Sequence, residues 1–296
     1  MKEIDIINVI KSVINTDFIG DDCAYLKDLG IVITQDSLVE NIHFKREWYT
    51  PRQLGYKSII VNASDILASG AKPAYYTVAL SLPPNISTEY VKDFYIGINE
   101  AIGASKIIGG DITGSKNDII ISITAIGVAG ERNISSRKNA MPGYKIITSG
   151  MYGASCAGLK ELLQNNYNGC HVQAHIKPVL NYKFSEQVSK CNAPYAMMDT
   201  SDGIMDALFK IAESSNVNIS VDYEKIPKLK DICEKDVLFG GEDYNLIAAI
   251  PDNFVSRVED AVVIGDVYEY KNVRLNLNER KYYNYDELSV YNHFGG

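Results

Sequence analysis

Short acidic motifs recur along this chain, and most of them follow an apolar run that predicts a strand. They are Gly20-Asp21-Asp22, Gln35-Asp36-Ser37, Asn62-Ala63-Ser64-Asp65, Gly109-Gly110-Asp111, Asp199-Thr200-Ser201-Asp202-Gly203 and Gly240-Gly241-Glu242-Asp243. Carboxylate oxygens are the ligands that hard divalent cations prefer. Magnesium held by a few carboxylates commonly carries the phosphates of a substrate as well. The motifs therefore indicate an enzyme that acts on a magnesium-bound nucleotide.

Asp36 and Asp65 carry the strongest signal among these acidic residues. Asp36 follows the apolar run 31–34, and in α/β folds the loop after a strand commonly faces a ligand. A helix cap is an equal alternative for Asp36 on the residues alone. Asp65 lies in a predicted helix between apolar neighbours, which favours burial. Because a buried unpaired carboxylate is costly, a metal ion would be a natural partner for it.

Two glycine pairs offer backbone N–H groups that could bind phosphate. Gly109-Gly110 opens a stretch that is similar to a phosphate-binding loop, but Ser115 precedes Lys116 and reverses the order that such a loop requires. Gly240-Gly241 offers the same chemistry in the second half of the chain. The sequence thus predicts phosphate contacts without a standard nucleotide-binding motif.

The histidines and cysteines point away from a zinc site. His171 and His175 have the spacing of two ligands on a helix, but the polar stretch 165–169 before them favours a loop. His43 follows the Asp36 motif and is the histidine to which we assign a function. The five cysteines are widely spaced and form no CxxC pair, so neither a disulfide framework nor a zinc site is expected.

Length and composition limit the classes of protein to consider. A chain of 296 residues favours two domains, and we expect the boundary between residues 140 and 141. The net charge of -8 argues against a nucleic-acid partner. No apolar run approaches the roughly 20 residues that cross a bilayer, and no signal-peptide core opens the chain. We therefore expect a cytoplasmic protein without a membrane partner.

The elements that must hold these motifs form an α/β pattern. Strands are predicted over residues 31–34, 75–82, 119–128, 145–149, 246–250, 262–267 and 273–277. Helices are predicted over residues 51–69, 87–105, 154–163 and 202–215. The first helix has Thr50 as its cap, Pro51 in its first turn and Gly70 after its end.

The order and spacing of the motifs resemble the thiamine-monophosphate kinase family, within the superfamily that includes aminoimidazole-ribonucleotide synthetase. The resemblance extends from about residue 18 to residue 294 and rests on the acidic motifs together with the stretches 36–44 and 54–65. It implies an α/β (layered α+β) fold of the aminoimidazole-ribonucleotide synthetase type. Residues 1–140 would form an ATP- and Mg²⁺-binding domain that dimerises through its sheet, and residues 141–296 a C-terminal α/β domain. The strands at 75–82 and 119–128 are the expected interface.

The resemblance also implies functions for individual residues. Members of the family transfer the γ-phosphate of ATP to thiamine monophosphate and form thiamine diphosphate. The implied Mg²⁺ ligands are Asp22, Thr34, Asp36, Asp65, Asp111, Asp199 and Asp202. The implied ATP contacts are Gln35, Gly110, Arg137 and Ser201, and the implied substrate contacts are His43, Glu242 and Tyr291. Gln35 stands where the family usually has a small hydroxyl residue.

Elementary chemistry favours direct in-line transfer between two bound phosphates. The phosphates of both substrates repel one another, and several Mg²⁺ ions would neutralise them. The acceptor is a phosphate oxygen with a low pKa, so no catalytic base is expected and none is assigned. The alternatives are another ATP-dependent enzyme of the same superfamily, a metal-dependent phosphohydrolase and a Ca²⁺-binding scaffold. The scaffold is disfavoured because the acids lack the spacing of a 12-residue calcium loop.

Overall fold

A computed structural model describes residues 3–14 and 16–290 and contains two β-sheets with helices packed on them. The helices are α1 (Glu3–Val13), α2 (Pro51–Ala68), α3 (Thr88–Ala101), α4 (Ala154–Leu163), α5 (Val172–Ile176), α6 (Tyr182–Val188), α7 (Ile204–Ser214) and α8 (Glu234–Phe239). The strands of the first half are β1 (Ala24–Leu26), β2 (Ile31–Val39), β3 (Lys72–Leu82), β4 (Lys106–Gly114) and β5 (Ile120–Val128). Those of the second half are β6 (Tyr144–Thr148), β7 (Ala196–Asp199), β8 (Val217–Val221), β9 (Leu246–Pro251), β10 (Val262–Glu269), β11 (Leu275–Leu277) and β12 (Arg280–Tyr282). The mixed α/β fold class is confirmed.

The first sheet has the strand order β1-β2-β5-β3-β4. Its strands pair antiparallel except for β3 and β4, which are parallel and are joined through α3. Burial alternates along β5, with Ile121 and Ile123 buried and the residues between them more exposed. One face of the sheet therefore packs on α2, and within the described residues the opposite face is left uncovered.

Two glycines bring α2 and α3 into close contact. A Cβ atom added at Gly55 would collide with the backbone carbonyl of Phe94, and one added at Gly97 would collide with that of Arg52. Thr50 caps α2 through a capping box with Gln53, as Thr50-Pro51 predicts. The sequence thus determines both where α2 begins and how closely its partner approaches.

The second sheet has the order β12-β11-β8-β10-β6-β9-β7. Its apolar side chains continue into the core of the first half, since Leu246 and Ile250 of β9 belong to the same buried cluster as Ile59 and Ile66 of α2. The sheets change over between β5 and β6. The boundary after residue 140 stays a proposal, because one of the two buried clusters spans both halves and the other lies in residues 140–288. No helix of the described residues is long and apolar enough to cross a membrane.

Two predicted loops are strands in the structure. The apolar run 31–34 does not end before Asp36, because β2 continues to Val39 and pairs with β5 along its whole length. Gly109 and Gly110 do not form a phosphate-binding loop, because they lie within the exposed edge strand β4. In both places, pairing with a neighbouring strand extends an element that the local residue types would end.

Candidate active site

Three carboxylates from distant parts of the chain meet in space. Asp22 precedes β1, Asp65 lies in the last turn of α2 and Asp199 ends β7. One side-chain oxygen from each lies within 4.8 Å of the other two. We call these three residues the carboxylate cluster. Carboxylates at this spacing can coordinate a divalent cation through oxygen.

Hydroxyl groups hold two of these carboxylates in place. Thr34 Oγ1 donates to Asp65 Oδ2 at 2.6 Å. Ser64 Oγ donates to Asp199 Oδ2 at 2.7 Å, and Ser201 Oγ donates to Asp199 Oδ1 at 3.0 Å. Thr34 with Asp65, and Ser201 with Asp199, therefore form two hydrogen-bonded pairs at the carboxylate cluster, and the family resemblance implies all four as site residues.

Asp36 adds a fourth carboxylate from β2. It lies two residues after Thr34 and on the same face of the strand, because side chains alternate along a strand. The backbone N–H of Asp36 donates to Asn62 Oδ1 at 3.2 Å, which ties β2 to α2 beside the cluster. The charge of Asp36 acts directly on Asp65.

Burial and mutual repulsion both disfavour the ionised cluster. Burial, and then the charges of Asp36, Asp199 and Asp22, raise the pKa of Asp65 well above its usual value. Burial and the charge of Asp22 likewise raise the pKa of Asp199 to about 7. A bound divalent cation would reverse both shifts, because it favours the charged form of each carboxylate. The donor set and its electrostatics therefore fit a Mg²⁺ site.

Arg137 faces this cluster through Asp22. Arg137 Nη2 lies 2.7 Å from Asp22 Oδ1. Burial opposes the charge of Arg137, but the charge of Asp22 raises the pKa of the guanidinium above its usual value. Arg137 Nε is buried and has no hydrogen-bond partner among the described residues. A cavity of about 210 Å³ lined by Asp22, Phe18 and Met197 lies in this region. Arg137 thus combines a fixed positive charge with one donor left to satisfy.

Glu242 belongs to a second group of polar side chains. Lys57 Nζ lies 3.4 Å from Glu242 Oε2, and His175 Nδ1 lies 3.2 Å from the same oxygen. Lys57 Nζ also donates to Tyr49 Oη at 2.9 Å and to the carbonyl of His175 at 3.0 Å. We call Lys57, His175 and Glu242 the anchor cluster. The backbone N–H of Glu242 donates to the carbonyl of Ser201 at 2.7 Å, so one loop contact links the anchor cluster to the carboxylate cluster.

The anchor cluster keeps Glu242 ionised. Burial would raise the pKa of Glu242, but the charge of Lys57, followed by the contact with His175, holds it below its usual value. Burial would lower the pKa of Lys57, but Glu242 raises it above its usual value. Burial and the charge of Lys57 lower the pKa of His175 to about 3, so this imidazole is neutral near pH 7. The cluster contains one cation, one anion and one neutral ring.

Three residues implied as ATP or metal contacts lie away from both clusters. Gln35 faces the opposite side of β2 from Asp36, and its Oε1 accepts a hydrogen bond from Thr124 Oγ1 at 3.1 Å. Gly110 and Asp111 lie in β4, at the edge of the same sheet. Three strand spacings, about 14 Å, separate β4 from β2. Within one chain the structure does not bring these residues to the carboxylate cluster, and their functions stay predictions.

The family resemblance implies three further site residues, which are Asp202, His43 and Tyr291. Asp202 lies three residues after Asp199 in the sequence, and its Oδ2 lies 3.4 Å from Lys210 Nζ. His43 Nδ1 accepts the backbone N–H of Val39 at 3.0 Å, and the His43 charge acts on Glu242. Tyr291 lies outside the described residues. The functions of all three stay predictions.

His171 and His175 do not share a site. His171 Nε2 lies 3.0 Å from Asp231 Oδ2, whereas His175 is buried against Glu242. Glu161, Cys170 and His171 lie close enough to hold a metal ion. Hydrogen bonds within this group already account for its geometry, because Glu161 accepts from the His171 backbone N–H and from Cys170 Sγ.

The sequence interpretation missed the partners that hold the implied residues in place. Lys57 and Ser64 belong to the motif at 54–65, yet no function followed from their types. The available signal was a lysine within the largely apolar stretch 54–61 of a predicted helix. His175 gave no usable signal, because its contact with Glu242 joins residues 67 positions apart in the sequence.

The chain matches known proteins over nearly its full length. Residues 20–129 match the family model described as AIR synthase related protein, N-terminal domain. The thiamine-monophosphate kinase of Aquifex aeolicus is 34% identical over 290 residues, which cover 92% of this chain and 93% of that protein. The thiamine-monophosphate kinase of Prochlorococcus marinus is 33% identical over 278 residues, which cover 85% of this chain and 83% of that protein.

Solved structures are similar to this chain in both fold and sequence, and a complex with two ligands is among them. That complex is described as AaThiL complexed with AMPPCP and TMP, and it superposes with a TM-score of 0.89 at 30% sequence identity. The match covers 99% of this chain and 97% of that chain.

Proposed function

The chain belongs to the thiamine-monophosphate kinase family, and from this premise we propose that it transfers the γ-phosphate of ATP to thiamine monophosphate directly, with Mg²⁺ held by its carboxylate cluster. The single observation that carries the metal assignment is the group of Asp22, Asp65 and Asp199 within 4.8 Å of one another. The proteins named for this activity and the solved complex with AMPPCP and TMP support the substrates.

The residues of the chain have separate tasks in this reaction. Asp22, Asp36, Asp65 and Asp199 would hold the Mg²⁺ ions, with Thr34 orienting Asp65. Bound Mg²⁺ supplies neutralisation of the phosphate charge that develops during transfer. Arg137 places a fixed positive charge beside Asp22 and an unsatisfied Nε donor that suits a phosphate oxygen. Glu242 holds the acceptor from the other side of the site.

An assay of ADP formation tests the proposed function. With ATP and Mg²⁺ present, we expect ADP to form only when thiamine monophosphate is added, and in a 1:1 ratio with thiamine diphosphate. ADP formed at the same rate without thiamine monophosphate would instead favour a phosphohydrolase. ADP that forms only with a different acceptor would place the chain elsewhere in the superfamily.

Direct transfer predicts that no phosphorylated protein forms. A phosphoenzyme requires a nucleophilic side chain that a neighbouring base activates. The side chains of the carboxylate cluster would instead be bound to metal ions. We expect no label on the denatured protein after incubation with γ-labelled ATP and Mg²⁺ alone. A labelled residue that discharges onto added thiamine monophosphate at the rate of turnover would contradict direct transfer.

We further propose a two-fold homodimer formed through the first sheet. Tyr75 of β3 and Ile120 of β5 are 42% and 37% exposed, on strands that the sequence predicts as the interface. The edge strand β4 exposes Ile108 and Ile112. An exposed apolar edge strand is a liability that a partner would remove, and a two-fold interface is the commonest way to supply one.

Light scattering tests the dimer. We expect twice the monomer mass at micromolar concentration, and we expect Tyr75→Glu to shift the protein toward the monomer because it places a charge in the interface. Tyr268→Glu is the matched control, since Tyr268 is 53% exposed on β10 of the second sheet. A fully active wild-type monomer at that concentration would refute the proposal.

A cytoplasmic location remains our proposal as well. Its support is the use of ATP as co-substrate, because cells keep ATP in the cytoplasm.

A further inference from the structure

Lys57 is a fully buried lysine whose donors have defined acceptors. It is 1% exposed and lies in the middle of α2. Its Nζ contacts Tyr49 Oη, the carbonyl of His175 and Glu242 Oε2 at 2.9, 3.0 and 3.4 Å. Lysine is almost never fully buried unless it is paired, and an ammonium group has three donors. The geometry therefore uses the whole ammonium group to hold Glu242 and its surroundings.

Both members of the anchor cluster that hold Glu242 act on the same carboxylate oxygen. His175 Nδ1 lies 3.2 Å from Oε2, and Lys57 Nζ lies 3.4 Å from it. His175 Nδ1 also lies 3.1 Å from Ser155 Oγ, so Lys57 is the donor to Oε2 that does not depend on the position of the imidazole proton. The other oxygen, Oε1, is 3.4 Å from Tyr244 Oη, and the side chain of Glu242 is 26% exposed. Oε1 accepts a hydrogen bond from Tyr244 Oη, so the second lone pair of Oε1 is the acceptor left for a ligand.

The charge of Glu242 is already balanced inside the protein. Lys57 supplies one positive charge, Glu242 one negative charge and the neutral His175 none. A balanced ion pair exerts a weak net attraction on a further cation, whereas Oε1 remains a strong hydrogen-bond acceptor. The cluster is consequently better suited to an N–H donor than to a positive ring.

The position of Lys57 on α2 agrees with this assignment. Lys57 precedes Asp65 by eight residues, which is about 12 Å along a helix. Asp65 belongs to the carboxylate cluster, which would face the phosphate of the acceptor. In thiamine monophosphate the aminopyrimidine ring is the end remote from the phosphate, and the cationic thiazolium lies between them. Helix α2 thus separates the metal ligands from the anchor cluster along the length of the acceptor.

We propose that Glu242 recognises the exocyclic amine of the aminopyrimidine through Oε1 rather than the charge of the thiazolium, and that Lys57 is the positioning residue that sets this preference. The inference rests on the proposed function and specifies which part of the acceptor is read.

Two acceptor analogues separate the two modes of recognition. Oxythiamine monophosphate replaces the amine by an oxo group and keeps the thiazolium. 3-Deazathiamine monophosphate keeps the amine and has a neutral ring in place of the thiazolium. A site built to bind a donor rejects an analogue that lacks it by several orders of magnitude. We expect kcat/KM for wild-type protein to fall at least about 100-fold with the oxo analogue and less than about fivefold with the neutral one.

A substitution at Lys57 tests its positioning function. Without the ammonium group, the groups left near Glu242 are His43, the neutral His175 and the uncharged phenols of Tyr49 and Tyr244. Burial then favours a protonated Glu242, which donates rather than accepts. We expect Lys57→Met to reduce the ratio of kcat/KM for thiamine monophosphate to kcat/KM for oxythiamine monophosphate at least about tenfold. A loss of mere structural support would lower kcat/KM equally for all three acceptors.

Two further variants keep the test decisive. Lys177→Met is the matched control, because Lys177 contacts the ring of Tyr56 of α2 and lies outside the anchor cluster. If Lys57→Met does not fold, the double variant Lys57→Met/Glu242→Gln removes both charges together, and we expect it to fold and to lose the preference for amine over oxo.

The outcomes distinguish this inference from the proposed function. Wild-type protein that forms no ADP with thiamine monophosphate would refute the proposed function. Wild-type protein that uses thiamine monophosphate but rejects the neutral-ring analogue more strongly than the oxo analogue would refute the inference alone. An unchanged preference in Lys57→Met would remove the positioning function of Lys57.

Discussion

Asp65→Asn should lower kcat by about 100- to 1,000-fold at saturating Mg²⁺ while the protein stays folded. Asp65 belongs to the carboxylate cluster, and the charges of Asp36, Asp199 and Asp22 all raise its pKa. An amide binds Mg²⁺ more weakly than a carboxylate, and the loss of charge neutralisation at the transferred phosphate costs several kcal/mol. We expect Asp36→Asn to have the same direction of effect, because Asp36 shares the strand face of Thr34.

The fold of the Asp65→Asn protein should be at least as stable as wild type without metal. Thr34 Oγ1 can still donate to the amide oxygen. A carboxyl group with a raised pKa in the folded state contributes stability at low pH and loses it as the pH rises through that pKa. The amide removes this loss, so the melting temperature of the metal-free variant at pH 8 should equal or exceed that of wild type.

Steady-state kinetics and thermal melts check both statements. Asp266→Asn is the matched control, since Asp266 is half-exposed and pairs with Lys145 on the second sheet. Turnover of Asp65→Asn close to that of wild type at saturating Mg²⁺ would contradict the assignment of Asp65 as a metal ligand. A collapse of the melting temperature would show that Asp65 is needed for folding instead.

Glu242→Gln should raise KM for thiamine monophosphate by about 10- to 100-fold and leave KM for ATP within about threefold. Hydrogen bonds to charged groups contribute about 1.5–3 kcal/mol, which corresponds to a factor of this size. The neutral amide cannot balance Lys57, so Lys57 competes for its single oxygen. The effect should fall on the acceptor because Glu242 lies in the anchor cluster and not in the carboxylate cluster.

Separate titrations of the two substrates decide this prediction. Glu224→Gln is the control, because Glu224 is exposed and belongs to a surface ion pair with Lys228. If both Michaelis constants rise together, Glu242 stabilises the site as a whole and does not read the acceptor. If neither rises, the acceptor binds elsewhere.

Some of the sequence expectations rested on local chemistry, and the structure confirms them. Thr50 and Pro51 determine where α2 begins, because a capping hydroxyl and a fixed φ angle act within one turn. The helix at Ala154–Leu163 has the predicted bounds. Such signals depend on neighbours in the sequence, so the residue types alone contain them.

Other expectations failed where a neighbouring strand decided the outcome. Asp36 and Gly110 carry residue types that favour loops, yet both lie inside strands because β5 and β3 supply backbone partners along their length. Asp36 and Asp111 lie on opposite faces of one sheet, because side chains alternate along each strand and because β4 pairs with β3 in one particular register. Neither the alternation nor the register can be read from the residue types around Asp36 or Asp111.

The sequence by itself determined which residues bear the chemistry, because carboxylates, glycine pairs and their order are properties of the chain. Only the tertiary structure decided which of them act together. Asp22, Asp65 and Asp199 are separated by more than forty residues at each step, and they meet because α2 packs on one sheet and β7 ends beside it. The pairing of Lys57 with Glu242 likewise depends on burial, since burial makes an unpaired charge costly and so fixes the partner.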